Sequence, residues 1–311
     1  MSVLLCGDFS ATERADWLRI LRAGAEREDW VTERDQTDDR TIDIAVVANP
    51  PPGMLQGLSG LRLIQSLWAG VDRLLADASL PRGVPIARMV DPAMNEAMAE
   101  TALWAVLALQ RDFFIYARQQ QLMQWRRWPQ RRACDMPVLV LGLGEMGRCV
   151  ARRLAANGFP VRAWSRRGVA IDGIEASSGE AALLAELQRA QVVINLLPLT
   201  EQTRGFFDSQ RLAAMRRGSH LVNLARGAHL VESAILAALD SGQLGELVVD
   251  TFATEPLPTD HPFWCHPRIT VLPHAAAQTD KRSAAAVVAD NIARIRSGVE
   301  PLHPVDRGLG Y

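Results

Sequence analysis

The stretch VLVLGLGEMG (138–147) sets Gly142, Gly144 and Gly147 in the order GxGxxG, with Glu145 and Met146 between the last two. It follows an apolar run and precedes RCVARRLAANG, a helical pattern that ends at Gly158. The chemistry such a pattern offers is polyphosphate binding. The first glycine permits a tight turn, and the second lets backbone approach a pyrophosphate. The third lets the helix pack on its strand, with the phosphates at the positive helix N-terminus. Three glycines alone are weak evidence, and the strand-before, helix-after context strengthens them. About twenty residues on, where NAD-binding chains carry a ribose-binding acid, the strand VRAW (161–164) ends in Ser165, Arg166 and Arg167, and no acid follows before Asp172. A carboxylate there accepts bonds from both ribose hydroxyls and repels a 2′-phosphate. A hydroxyl with two guanidiniums reverses that preference. The expected cofactor is NADP(H), with NAD(H) possible. The plain alternative is a solvated arginine pair.

Three more stretches end strands in polar groups. NLARGAHLVE (223–232) carries Arg226, VVDTFATEPLP (248–258) carries Asp250 and Glu255, and ITVLPHAAAQT (269–279) carries His274. Singly, each has an ordinary reading: a solvated charge, a strand exit, a hydrogen-bonded structural histidine. In an open parallel sheet, however, ligands collect beyond the carboxyl ends of strands, so the three segments point toward one crevice. A cation and a proton donor brought together there stabilise negative charge that develops on an oxygen.

The elements that position these residues are readable from periodicity. From residue 136 on, apolar strands (PVRAW, VVINLL, HLVNLA, ELVVDTF) alternate with helical patterns near 146–157, 180–189, 208–216 and 231–241. That alternation implies right-handed crossovers and a parallel sheet. Before it, VLLCG, IAVVA, LRLIQSL and VPIAR read as strands, and Trp17, Leu18 and Leu21 share a helical face. A long helix is expected from near Asn95 to Gln121, then an exposed loop WRRWPQRR (125–132), and a last helix spans 279–298.

The 311 residues suit two domains of moderate size. A net charge of −1 argues against a broad nucleic-acid surface. No apolar run approaches the roughly 20 residues of a membrane helix, and the start MSVLLCGDFS reads as a strand, not a signal peptide. Four scattered cysteines suggest free thiols in a reducing cytoplasm and no metal site.

In this order, LGLGEMG, INLLPLTEQTRG, LVNLARG, DTFATEPLP and LPHAAAQT resemble the D-isomer-specific 2-hydroxyacid dehydrogenase family across essentially the whole chain. The resemblance implies an α/β protein of two doubly wound parallel-sheet domains, a Rossmann cofactor domain and a flavodoxin-like substrate domain. The expected substrate domain is 1–94 plus 282–311. The expected NADP-binding domain is 95–281, with 95–132 as a dimerisation arm of a homodimer. It also implies small 2-oxo acids as substrates. The segments GFPVRAWSRR, HPFWCHPRIT and VDRGLGY are similar to one branch of the family that acts on glyoxylate and hydroxypyruvate.

Carried onto matching positions, Arg226 holds the substrate carboxylate and carbonyl oxygen, His274 is the general acid, and Glu255 bonds its other ring nitrogen. Asp250 matches the residue that bonds the nicotinamide amide, and Leu197, Pro198 and Thr203 match the cofactor-lining loop. SLWAGVDRLL (66–75) matches the segment whose amides receive the substrate carboxylate, around Ala69, Gly70 and Val71. Many relatives have a small residue where Trp68 stands, so the indole either narrows the pocket or packs under the loop. On the facing turn, Ala48 leaves room for a substrate side chain. Other readings of the same frame are a larger 2-oxo acid, a formate- or phosphite-type donor, and a non-catalytic NADP(H)-sensing binding protein.

Overall fold

Runs such as VLLCG, VVIN and LVVD carry no polar alternation because both faces of their strands are covered, the mark of parallel sheets. The computed structural model describes all 311 residues, and the chain divides into two compact units, Met1–Met94 with Thr279–Tyr311, and Asn95–Gln278.

The first unit is built on β1 (Ser2–Gly7), α1 (Ala11–Gly24), β2 (Asp29–Val31), β3 (Ile42–Ala48), β4 (Leu63–Ser66), α2 (Asp72–Leu75) and β5 (Ile86–Ala87). All its strands are parallel, in the order β2-β1-β3-β4-β5, the flavodoxin-type arrangement. Ser10 starts α1 with a capping box, its hydroxyl accepting from Glu13 N while Glu13 Oε2 accepts from Ser10 N. Trp17 and Leu21 are buried on α1, and Leu18 is only half-buried at the edge of that face.

The second unit opens with α3 (Pro92–Gln110, its first turn belonging to the first unit) and α4 (Phe113–Gln121). The single helix expected over 95–121 is therefore two. Asp112 adopts a left-handed backbone, φ 57°, between them, a conformation that aspartate tolerates better than most residues. Arg131 holds the break, donating to Leu109 O at 2.7 Å and to the Asp112 carboxylate at 2.6 Å. After it come β6 (Val138–Leu141), α5 (Glu145–Ala156), β7 (Val161–Trp164), β8 (Ala176–Ser177), α6 (Glu180–Arg189), β9 (Val192–Asn195), α7 (Ser209–Ala214), β10 (Ser219–Asn223), α8 (Glu232–Asp240), β11 (Leu244–Val249) and β12 (Ile269–Val271). α9 (Lys281–Arg296) returns to pack on α1 and β4 of the first unit.

The seven strands of this sheet are parallel in the order β12-β11-β10-β9-β6-β7-β8. Counted from β6, that is the 3-2-1-4-5-6 order of a dinucleotide-binding fold with one strand added, and the order reverses between β6 and β9. Alternate residues feed opposite cores. Leu139, Leu141, Val193, Leu221 and Val249 pack with Leu183 of α6 and Ile235 of α8. Val138, Val140, Ile194, Val222 and Val248 pack with Val106 of α3 and Val150 of α5. No helix is long and apolar enough to cross a membrane.

Candidate active site

The residues singled out in the second unit follow the carboxyl ends of its strands: Gly142 after β6, Ser165 after β7, Leu197 and Pro198 after β9, Arg226 after β10, Asp250 after β11 and His274 after β12. The three glycines have three different reasons to lack a side chain. Gly142 has φ 96°, and a Cβ there would lie 2.7 Å from Leu196 O. A Cβ on Gly147 would lie 1.9 Å from Gly142 O, so this residue sets how closely α5 approaches β6. Gly144 caps α5 with an extended backbone and no side-chain bond, and a Cβ on it would meet nothing within 4 Å. No protein packing explains that glycine. The open space over the N-terminus of α5, whose first amides have no intrahelical acceptor, is a cradle that a pyrophosphate fits. Glu145 and Met146 form the first turn of that helix.

Ser165 starts a turn in which its Oγ accepts from Gly168 N at 3.2 Å. Arg166 and Arg167 are exposed on that turn. The next acid, Asp172, is paired with Arg152. The residues after β7 thus suit a 2′-phosphate and offer no carboxylate to a ribose. Thr203 Oγ1 donates to Pro198 O at 2.7 Å and fixes the loop that follows β9.

The structure brings Glu255 and His274 together. Glu255 Oε1 accepts from Phe252 N at 2.9 Å, and its Oε2 lies 2.8 Å from His274 Nδ1. The imidazole side chain is 52 % exposed, open to a substrate. Its backbone is left-handed, φ 53°, a costly conformation that neighbours must enforce. Asp250 enforces it. Its carbonyl accepts from His274 N at 2.8 Å, and its carboxylate accepts from Ala275 N at 2.7 Å and Ala276 N at 3.1 Å. Burial pushes the Asp250 carboxyl above the usual carboxylate range, against the pull of those two backbone donors. This holding function was not visible in the sequence, because it depends on one left-handed residue three positions past a strand.

Arg226 leads a short 3₁₀ turn, Gly227–His229, and its Nη1 donates to Ala225 O at 2.8 Å. A Cβ on Gly227 would lie 2.0 Å from the Phe252 carbonyl carbon, so this glycine presses the arginine's turn onto the segment whose amide holds Glu255. Three further buried polar groups, Asn195, Asn223 and His229, were also missed. Their signal is a lone asparagine closing each of two apolar strands.

The remaining predicted residues belong to the first unit. Trp68 packs edge-on to Trp17 of α1, centroids 6.5 Å apart, so the indole is at least partly a packing group. Ala69 and Gly70 are half-buried, and Val71 caps α2 without a side-chain bond. Ala48 is 1 % exposed, and its neighbour across the β1–β3 ladder is Gly7, where a Cβ would come within 2.4 Å of Ala48 O.

Residues 103–276 match the model of the D-isomer specific 2-hydroxyacid dehydrogenase NAD-binding domain. The chain is similar to a glyoxylate/hydroxypyruvate reductase A of Serratia proteamaculans, 43 % identical over 279 residues, covering 88 % of this chain and 89 % of the relative. Among solved structures it is similar to a D-isomer specific 2-hydroxyacid dehydrogenase of Xanthobacter autotrophicus Py2 in complex with NADPH and MES, with TM-score 0.94 and 37 % identity over 100 % of this chain and 99 % of that one. It is also similar to an NADPH-dependent glyoxylate/hydroxypyruvate reductase of Sinorhizobium meliloti in complex with NADP and sulfate, with TM-score 0.91 and 34 % identity over the full length of both chains.

Proposed function

The chain belongs to the D-isomer specific 2-hydroxyacid dehydrogenase family, and on that premise we propose that it is an NADPH-dependent reductase of glyoxylate, hydroxypyruvate or a close 2-oxo acid. The observation that carries the reading is the Glu255–His274 pair, 2.8 Å apart, on the same strand-end edge as the glycine cradle. When bound, NADPH supplies the hydride. Gly142, Gly144, Glu145, Met146 and Gly147 would hold its pyrophosphate, Ser165, Arg166 and Arg167 its 2′-phosphate, and Leu197, Pro198 and Thr203 belong to the loop that would line it. The names of the relatives, which bind NADPH or NADP, support the choice of nucleotide.

Arg226 offers a fixed cation to the carboxylate and carbonyl oxygen of the substrate, where negative charge grows. Glu255 accepts from His274 Nδ1, which leaves Nε2 to donate its proton to that oxygen. The ring ends neutral, its Nδ1–H still held by the carboxylate, and the product leaves as an alcohol. Besides the nicotinamide contact expected of it, Asp250 fixes the backbone from which the imidazole projects. In the first unit, Ala69, Gly70 and Val71, with Trp68 before them and Ala48 on the neighbouring strand, belong to the same proposal as substrate-binding candidates.

A homodimer through residues 95–132 belongs to the same proposal. Trp104, Leu107, Phe113, Leu122, Met123 and Trp125 are all exposed there, the last two 93 % and 97 %, more apolar surface than a monomer's arm keeps in water. The cysteines are unpaired, in keeping with a cytoplasmic enzyme. The test is steady-state oxidation of NADPH and NADH with glyoxylate, hydroxypyruvate, pyruvate and phenylpyruvate. We expect turnover of the two- and three-carbon acids with NADPH preferred. Equal use of NADH removes Arg166 and Arg167 from nucleotide selection, activity confined to phenylpyruvate moves the substrate class, and inertness with every acid overturns the reading.

A further inference from the structure

Beneath the site, three fully buried polar side chains form an open hydrogen-bonded circuit that the chemistry above does not use. β9 ends at Asn195 and β10 at Asn223, directly opposite each other in register. Asn195 Nδ2 donates to Asn223 Oδ1 at 2.8 Å and to His229 Nδ1 at 3.0 Å, while its Oδ1 accepts from Leu197 N at 3.2 Å. Asn223 Nδ2 donates to Arg226 O at 3.1 Å. His229 Nε2 donates to Pro198 O at 3.3 Å, the carbonyl that also accepts from Thr203 Oγ1. A carbonyl can only accept, so Nε2 carries the proton and Nδ1 is the acceptor: the ring is neutral in one defined tautomer. Asn195, Asn223 and His229 are each 0 % exposed, a place where apolar side chains pack at no desolvation cost. The circuit instead runs from one functional turn to the other, ending on Pro198 O and on Arg226 O.

We infer that His229 is a positioning residue for this reduction: it clamps the Arg226 turn to the loop Leu197–Pro198, so that the guanidinium meets the substrate at a set place relative to the nucleotide. This rests on Arg226 being the substrate-binding arginine. His229 touches no reacting atom and passes no proton. Its main chain is anchored separately, its carbonyl accepting from Phe207 N at 2.8 Å, so the side chain can be altered without releasing the turn.

The test compares His229→Phe, which keeps a ring and loses both bonds, with His229→Gln, whose amide can restore the bond to Pro198 O. Each is measured for thermal unfolding, NADPH affinity by fluorescence, and kcat/KM for glyoxylate across pH, alone and in an Arg226→Lys background. Where turnover in that background is too slow, oxalate binding to the enzyme–NADP⁺ complex serves the same comparison. We expect His229→Phe to lower kcat/KM about ten- to hundredfold, the scale of a misplacement of about 1 Å. NADPH affinity should change less, the pH profile should keep its position, and His229→Gln should recover part of the loss. In the Arg226→Lys background, His229→Phe should cost little more, because both changes spoil one interaction. An equal loss in both backgrounds, a shifted pH profile, or a lowered melting temperature with unchanged kcat/KM overturns the inference. If Arg226→Lys itself leaves kcat/KM at the wild-type level, the fault lies instead with the reading of Arg226.

Discussion

Replacing each fingerprint glycine by alanine separates folding from nucleotide binding. Gly142→Ala forces a side chain into φ 96°, a cost of about 1–2 kcal/mol. It also sets a methyl 2.7 Å from a backbone oxygen, an overpacking cost of about 1–3 kcal/mol. Gly147→Ala is worse, since a methyl 1.9 Å from Gly142 O is relieved only by sliding α5 off β6. Gly144→Ala differs from both. Its φ of −68° and ψ of −172° suit any residue, and the methyl meets nothing. A gain of about 0.4–1 kcal/mol from the stiffer unfolded chain offsets the roughly 0.5–1 kcal/mol by which alanine is the poorer cap than glycine. In thermal unfolding without nucleotide, Gly142→Ala should melt about 5–15 °C early, at about 2–4 °C per kcal/mol for a unit of this size. Gly147→Ala should melt earlier still, and Gly144→Ala within about 2 °C of the parent. With NADPH the parent and Gly144→Ala separate. At a concentration one hundred times its Kd, the nucleotide stabilises the parent by about 2.7 kcal/mol, whereas a variant binding a hundredfold more weakly gains only about 0.4 kcal/mol. Gly144→Ala should behave as that variant. If it binds NADPH as the parent does, the space over α5 is not the phosphate cradle and the fingerprint reading fails.

Glu255→Gln should lower kcat on the order of 10²- to 10⁴-fold. Phe252 N holds Oε1, so the glutamine amide turns its NH₂ toward His274 Nδ1, donor against donor; a kcat within twofold of the parent would show that the pairing is idle. His220 supplies a pH test of stability. Its ring is 8 % exposed, and burial, helped by the charge of Arg131, pushes its pKa down to about 3. Below about pH 6.5 the unfolded chain binds a proton that the folded chain refuses, so stability should fall with pH by about 1.4 kcal/mol per unit, or about 2 kcal/mol by pH 5. His220→Leu should flatten that slope in denaturant titrations, and an unchanged slope would place the acid sensitivity elsewhere.

How much of this was legible follows from the range over which each feature is decided. The strands of the second unit show in the sequence because burial on both faces demands an unbroken apolar run, whatever the partner strand. β2 and β8, with three and two residues, lie at sheet edges and carry no such run. The break at Asp112 is hidden for another reason. FFIYARQQQ continues a good helix without glycine or proline, and the guanidinium that holds the break comes from Arg131, nineteen positions away. The site divides in the same way. A parallel sheet leaves its last backbone groups unpaired at the carboxyl ends, so polar residues closing apolar runs announce a site by position alone. That made Arg226, Asp250, Glu255 and His274 readable together. What each one bonds is settled by register and by single backbone angles. Asp250 serves the amides of Ala275 and Ala276 only because His274 is left-handed, and Asn195 meets Asn223 only because β9 and β10 run level. A one-residue shift of β10 would keep every motif in the sequence intact and turn Asn223 to the other face, breaking the circuit beneath Arg226.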